Sequence, residues 1–196
     1  RSGAVAASHT DQNRTWHSFY TPNRAFPKVF EGPPPIYLGG FPHREYPLLL
    51  GEKDGKYQIF DLGTGQMIFT DLDTALTSFP FFVPLRKEDR WAIMDRQGKL
   101  LTDFSWKRVQ PFPFNTVLLS NAGMVGLMNA KGKWIVPPGK EKIIALDNPP
   151  SFTYLQDGRW GLVDSLGHAI VGPQFDQIQS GASDGTWWGQ EQNGQW

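Results

Sequence analysis

The sequence predicts an all-β chain built from tandem hairpin repeats, and three observations predict it. Composition is the first: 21 Gly, 16 Pro, eight Trp and fourteen Phe among 196 residues favour strands and turns over helices. The second is a period. Tyr57, Trp91, Val125, Trp160 and Trp196 stand 34, 34, 35 and 36 residues apart, and self-similarity at such a spacing marks units that stack. The third is turn chemistry in step with that period. Asp61, Asp95, Asn129 and Asp164 each lie four residues after their anchor, followed by Gly65, Gly98, Gly132 and Gly167.

Residues 1–45 stand outside the period. The proline-rich stretch YTPNRAFPKVFEGPPPIYLGGFPHREYP (20–47) has no long apolar run, which predicts an irregular arm. Phe19, Tyr20, Phe26, Phe30 and Tyr37 give it enough aromatic surface to dock as a cap over the edge of the first unit.

From residue 46 to 196 the units number about four. Each opens with an apolar strand (YPLLLG, FPFFVPL, TVLLS, FTYLQ, TWWGQ) and a tight turn (EKDGK, KEDR, NAG, DGR, NGQ). Asp-Gly and Asn-Gly between apolar runs predict hairpins, because a type I′ turn needs positive φ at both central residues. The anchor strand follows, and its alternation is apolar on both faces, so burial on both sides is expected. Tyr57, Trp91, Val125 and Trp160 are therefore assigned to the core shared between units. In DRQG, NAKG and DSLG the Asp or Asn side chain can accept a backbone N–H two residues on, and the glycine tolerates a left-handed backbone. Asp61, Asp95, Asn129, Asp164, Gly98, Gly132 and Gly167 are turn residues on this reading. Beside the anchor, Ala92, Gly126 and Gly161 leave room for an aromatic ring against the backbone. A third short strand (KLLT, KWIVP, HAIVG) and a segment such as PQFDQIQ complete a meander of three or four strands. No such unit buries both faces alone, so successive units must stack. An open solenoid or superhelix is expected over propeller-like closure, the period being short for a four-stranded blade.

The pair Trp160-Gly161, within GRWGLVDSLGHAIVGPQFDQI, resembles the Trp-Gly (WG) repeat family across residues 46–196. Other units depart from the pair, with Trp91-Ala92, Val125-Gly126 and Tyr57-Gln58 in its place. The resemblance implies a mostly bacterial β-repeat protein, often secreted or envelope-associated, that mediates binding and has no shared catalytic residue.

Lysine plus arginine equal aspartate plus glutamate at 19 each, so no global field selects nucleic acid. With no cysteine, disulfides, thiolate zinc sites and a cysteine nucleophile are excluded. No apolar run reaches the length of a membrane-spanning helix. SGAVAAS (2–8) has the small residues of a processed leader, which predicts an extracytoplasmic location. GASDG (181–185) matches the serine-hydrolase elbow, but a strand-like segment follows Ser183 and His168 precedes it, against the order that elbow requires. His9, His17, His43 and His168 have no metal-ligand spacing, with His9 and His17 read as part of a solvated tail. Asp71 and Asp73 lack the rest of a calcium loop, and GTG (63–65) has no helix to receive a phosphate. Asn13-Arg14-Thr15 fits a glycosylation sequon. No cofactor is expected.

Trp106, beside Lys107 and Arg108, and the adjacent pair Trp187 and Trp188, which must point to opposite faces, are the candidate binding residues. The function expected is a non-catalytic interaction module with a protein partner. The alternatives are a carbohydrate or cell-wall polymer gripped by those tryptophans, and an accessory repeat region of a larger enzyme or secreted toxin system. A hydrolase would have to use acids such as Glu88, Asp89 or Asp103. Because TWWGQEQNGQW stops at the anchor Trp196, the parent polypeptide is expected to continue with more repeat.

Overall fold

The computed structural model describes residues 5–11, 14–21, 24–38, 48–147, 150–181 and 186–191. These hold twenty strands and no helix, arranged in six antiparallel sheets, none closed on itself. The chain forms two compact units, residues 1–105 and 106–196.

In the first unit, β1 (Val5–Asp11), β2 (Arg14–Thr21) and β3 (Arg24–Glu31) make one sheet. The second sheet is β4 (Ile36–Tyr37), β5 (Leu48–Lys53), β6 (Lys56–Asp61) and β7 (Gln66–Leu72), and the third is β8 (Thr74–Ala75), β9 (Phe82–Lys87) and β10 (Arg90–Asp95). The first sheet occupies the stretch expected to be irregular. Alternation in β2 turns His17 and Phe19 to the face that also carries Phe30 and Phe26 from β3. Pro27 is tolerated because β3 is an edge strand, where one missing N–H need not break a ladder. Phe19, Phe26 and Phe30 pack with Leu49, Phe60 and Leu62 of the second sheet, so the segment docks through a ring cluster.

In the second unit, β11 (Arg108–Phe112), β12 (Thr116–Asn121), β13 (Met124–Asn129) and β14 (Trp134–Lys140) form the fourth sheet. The fifth comprises β15 (Lys142–Leu146), β16 (Ser151–Gln156), β17 (Arg159–Asp164) and β18 (Ala169–Phe175), and the sixth β19 (Gln177–Ser180) and β20 (Trp187–Gln190). The polar segment after each third strand, QIQS for example, therefore opens the following sheet. The third sheet departs from this plan, since KLLT contributes only a bridge between Met94 and Leu100. There the Thr102 hydroxyl takes the Ile93 N–H at 3.0 Å, standing in for a ladder carbonyl.

The hairpin turns carry positive φ at both central residues: 52° and 75° at Asp54-Gly55, 51° and 63° at Glu88-Asp89, 49° and 82° at Ala122-Gly123, 52° and 71° at Asp157-Gly158. Such turns match the right-handed twist of the strands they join. Each core cluster is shared by two successive sheets. Leu48, Leu50, Ile59 and Leu72 meet Val83, Leu85 and Met94, while Leu127, Ile135 and Val136 meet Ile143, Phe152, Tyr154 and Val163.

Tyr57, Trp91, Val125 and Trp160, assigned to the core from the sequence, are half-buried. The fully buried positions lie two and three residues further on: Ile59 and Phe60, Ile93 and Met94, Leu127 and Met128, Leu162 and Val163. The anchors sit near the starts of their strands beside exposed hairpin turns; Tyr57 and Val125 pack, partly buried, against the core clusters, and the strand centres lie deepest.

Candidate functional site

The site is built on sheet ends, and the repeated second turn fixes their form. Asp61 accepts the Gly63 N–H at 2.7 Å. Asp95 accepts the N–H groups of Gln97 and Lys99, both at 2.9 Å. Asn129 does the same for Lys131 and Lys133 at 3.0 Å, and Asp164 for Leu166 and His168 at 2.8 Å. The glycines of these turns have φ of 75° at Gly65, 92° at Gly98, 77° at Gly132 and 87° at Gly167. His168 adds a ring contact, its Nδ1 lying 2.9 Å from Asp164 Oδ2. Burial works against the Asp164 charge, but the His168 N–H and ring, with the Leu166 N–H, outweigh it and hold the carboxyl below its ordinary range.

Two turn glycines also touch the preceding sheet. A Cβ on Gly98 would lie 2.9 Å from Ile68 Cδ1, and one on Gly167 would lie 3.0 Å from Ile135 Cα. Ile170 holds the corresponding place in β18, three residues after its turn glycine as Ile68 and Ile135 are, yet it is 43% exposed. At the tip of the Asp164 turn, Leu166 is 62% exposed where its counterparts are Gln97 and Lys131. Phe114, in the β11–β12 turn at the same end of these sheets, is 37% exposed, with its ring 5.7 Å from that of Phe152.

The three tryptophans singled out in the sequence do not come together. Trp106 is half-buried, its ring 5.7 Å from Trp134. Trp187 is half-buried and donates its indole N–H to Ser151 Oγ at 3.2 Å. Trp188, on the opposite face of β20, is 54% exposed. Gln179 lies directly across from Trp188, and Gln177 across from Gln190.

Among the acids weighed for hydrolysis, Glu88 and Asp89 form the β9–β10 turn, where Asp89 pairs with Arg86. His17, read as part of a solvated tail, is buried between Ser8 Oγ and the Gly32 carbonyl, each 2.8 Å from a ring nitrogen. Its alternation with Phe19 turns it inward. No group of three or more His, Asp or Glu able to hold a metal ion occurs among the described residues. Asn13, His43, Ser183 and Trp196 lie outside the described residues.

Sequence reasoning passed over Arg96. Its guanidinium donates to the carbonyls of Leu38 and Phe79, and burial pulls its pKa down. Arg96 follows a turn aspartate, like Leu62, Ala130 and Ser165 in the other units, and nothing in that pattern marks it. Tyr154 lies in the strand FTYLQ, where alternation alone does not show what its ring covers. Its ring fills the space over Gly161, and burial raises its hydroxyl pKa.

Residues 160–185 match the family described as WG containing repeat. No curated protein matches the chain by sequence. Among solved structures, it is similar to KlHsv2 with loop 6CD replaced by a Gly-Ser linker, at 13% identity and a TM-score of 0.33, over 87% of this chain and 65% of that one. It is also similar to Hsv2 of Kluyvelomyces marxianus, at 12% identity and a TM-score of 0.31, over 82% of this chain and 57% of that one. The chain thus spans less than two thirds of the length of either structure.

Proposed function

We propose that this chain, which carries a WG containing repeat at residues 160–185, is a non-catalytic interaction module that binds a protein partner through the turn end of its second unit. The observation that carries the reading is Leu166: an aliphatic side chain 62% exposed at a turn tip where equivalent turns place Gln97 or Lys131. The turn closes through backbone and Asp164 bonds alone, so its geometry does not demand leucine. Ile170 and Phe114 are further exposed apolar side chains in the same unit. Exposed apolar groups rimmed by polar ones are the usual core of a protein contact. The partner is neither nucleic acid nor an anionic surface on this reading, supported by the balance of charged residues. An extracytoplasmic setting is part of the proposal and rests on the small residues at 2–8.

The test is affinity capture from the source organism with the wild-type chain and with Leu166→Asp/Ile170→Asp. A partner retained by the wild type and lost by the folded double variant supports the reading. Equal retention by both overturns it.

A further inference from the structure

We infer that Pro34-Pro35-Ile36-Tyr37, at the leading edge of the second sheet, is a recognition segment for a protein module of the WW type, which offers an aromatic groove to a proline pair and a second pocket to a tyrosine ring. The segment lies in the first compact unit, apart from the turn end proposed above. Three adjacent prolines set its backbone. Each ring fixes its own φ, and each proline keeps the residue before it out of the helical region, so residues 33–35 are disposed to the polyproline form before any partner arrives. Such segments bind at low entropic cost. Tyr37 stands three residues after Pro34, where a PxxP segment would have its second proline, and that favours a groove with a tyrosine pocket.

The fold does not ask for these prolines. In the third, fourth and fifth sheets the backbone N–H groups of Asp73, Lys107 and Glu141 donate to the carbonyls of Arg86, Ser120 and Leu155, which in each case belong to the residue opposite the anchor. In the second sheet that residue is Glu52. The Ile36–Leu50 register carries Pro34 opposite Glu52 and puts Pro33 in the donor's place, with no N–H to give. β4 is accordingly two residues long, where β11 and β15 have five. Those strands are sheet edges as well, so an open edge does not by itself call for a proline run. Exposure here does not depend on a missing neighbour either. Ile36 lies opposite Leu50, in the cluster shared with the third sheet, and Tyr37 opposite Leu49, in the cluster shared with the first. With a sheet on each side, Ile36 is still 52% exposed and Tyr37 49%, and Pro33 and Pro34 are exposed too.

The probe is a WW domain of the class that takes Pro-Pro-x-Tyr peptides, titrated against the full chain by calorimetry, with the free peptide GPPPIYLG as positive control. The expected result is binding weakened about tenfold or more by Tyr37→Ala and by Pro34→Ala/Pro35→Ala, but changed less than about twofold by Ile36→Ala, whose position such a groove does not read. Circular dichroism checks that the variants are folded, and the proline variant, which changes no strand residue, keeps the test decisive if Tyr37→Ala is not. Three results overturn the inference: the domain binds the peptide but not the chain, binding survives both variants, or Ile36→Ala weakens it as much as Tyr37→Ala. Leu166→Asp/Ile170→Asp should leave this binding unchanged, so either reading can fail alone.

Discussion

The Tyr154 ring occupies the space that a side chain at Gly161 would need: a Cβ there would stand 2.5 Å from Tyr154 Cζ. The two residues face each other across β16 and β17. At the equivalent crossing in the third sheet, Leu85 faces Ala92. Gly161→Ala should therefore cost about 1–3 kcal/mol through overpacking. Adding Tyr154→Leu to that variant recreates the Leu85–Ala92 combination and should recover part of the loss. Urea unfolding of the two single variants and the double variant measures the coupling. Strict additivity would refute the contact.

Gly167 and Gly158 separate backbone strain from crowding. Both have positive φ, 87° and 71°, but a Cβ on Gly158 meets nothing within 4 Å, whereas one on Gly167 meets the Ile135 backbone. Gly158→Ala should cost about 1 kcal/mol from conformation alone. Gly167→Ala should cost more, by roughly 1–3 kcal/mol, because β14 backbone must give way. Thermal denaturation of the two variants gives the comparison, and equal costs would mean that the turn does not bear on the preceding sheet.

Asp164 makes a pH prediction. Its carboxyl is held below the ordinary aspartate range in the folded chain, so the stability it lends is fully present above that range and is lost as pH falls through the lowered folded value. Asp164→Asn keeps the turn bonds, as Asn129 shows in the fourth sheet, and should remove this part of the acid dependence. Asp164→Ala should cost about 1 kcal/mol at neutral pH through the lost turn bonds. Denaturation midpoints of the wild type and the Asn variant, followed from neutral to acid pH, should converge. Parallel curves would show that the charge is uncoupled from folding.

Phe152 and Trp160 rank the interior. Phe152 is fully buried in the cluster shared by the fourth and fifth sheets, so Phe152→Ala should cost about 3–5 kcal/mol. Trp160, half-buried near a hairpin turn, should lose less on truncation to Ala, about 1–3 kcal/mol. Chemical denaturation settles the order, and a larger loss at Trp160 would restore the anchor to the core.

The period, the hairpins and the Asp or Asn turns were legible in the sequence because each rests on local backbone chemistry. Asp164, Gly167 and the Asp157-Gly158 turn state their geometry within a few residues. Alternation also foresaw that Trp187 and Trp188 part company. What could not be read was depth. Whether Trp160 or Leu162 lies deeper depends on where a strand's centre meets its neighbour, and both share one face of β17. The sheet at residues 5–31 was hidden by prolines, although one of them, Pro27, proved compatible with an edge strand. Arg96 was invisible because its carbonyl partners, Leu38 and Phe79, are set by chain path rather than by any pattern.

The small residue at the cross-strand position changes places within the array. Gly161 is filled by Tyr154 of its own sheet, whereas Gly51 sits on the first hairpin strand and receives Phe30 from the sheet before it. The copies thus use two arrangements, one filled from the sheet before, as at Gly51 and Gly189, and one filled from within the sheet, as at Gly161. A unit with the Gly51 arrangement needs an aromatic ring on the sheet before it and would leave a gap if moved behind a sheet without one, whereas a unit with the Gly161 arrangement carries its filling ring within its own sheet. The two arrangements also guard the folding chain, since a sheet that docks on the wrong neighbour finds its socket empty or already occupied.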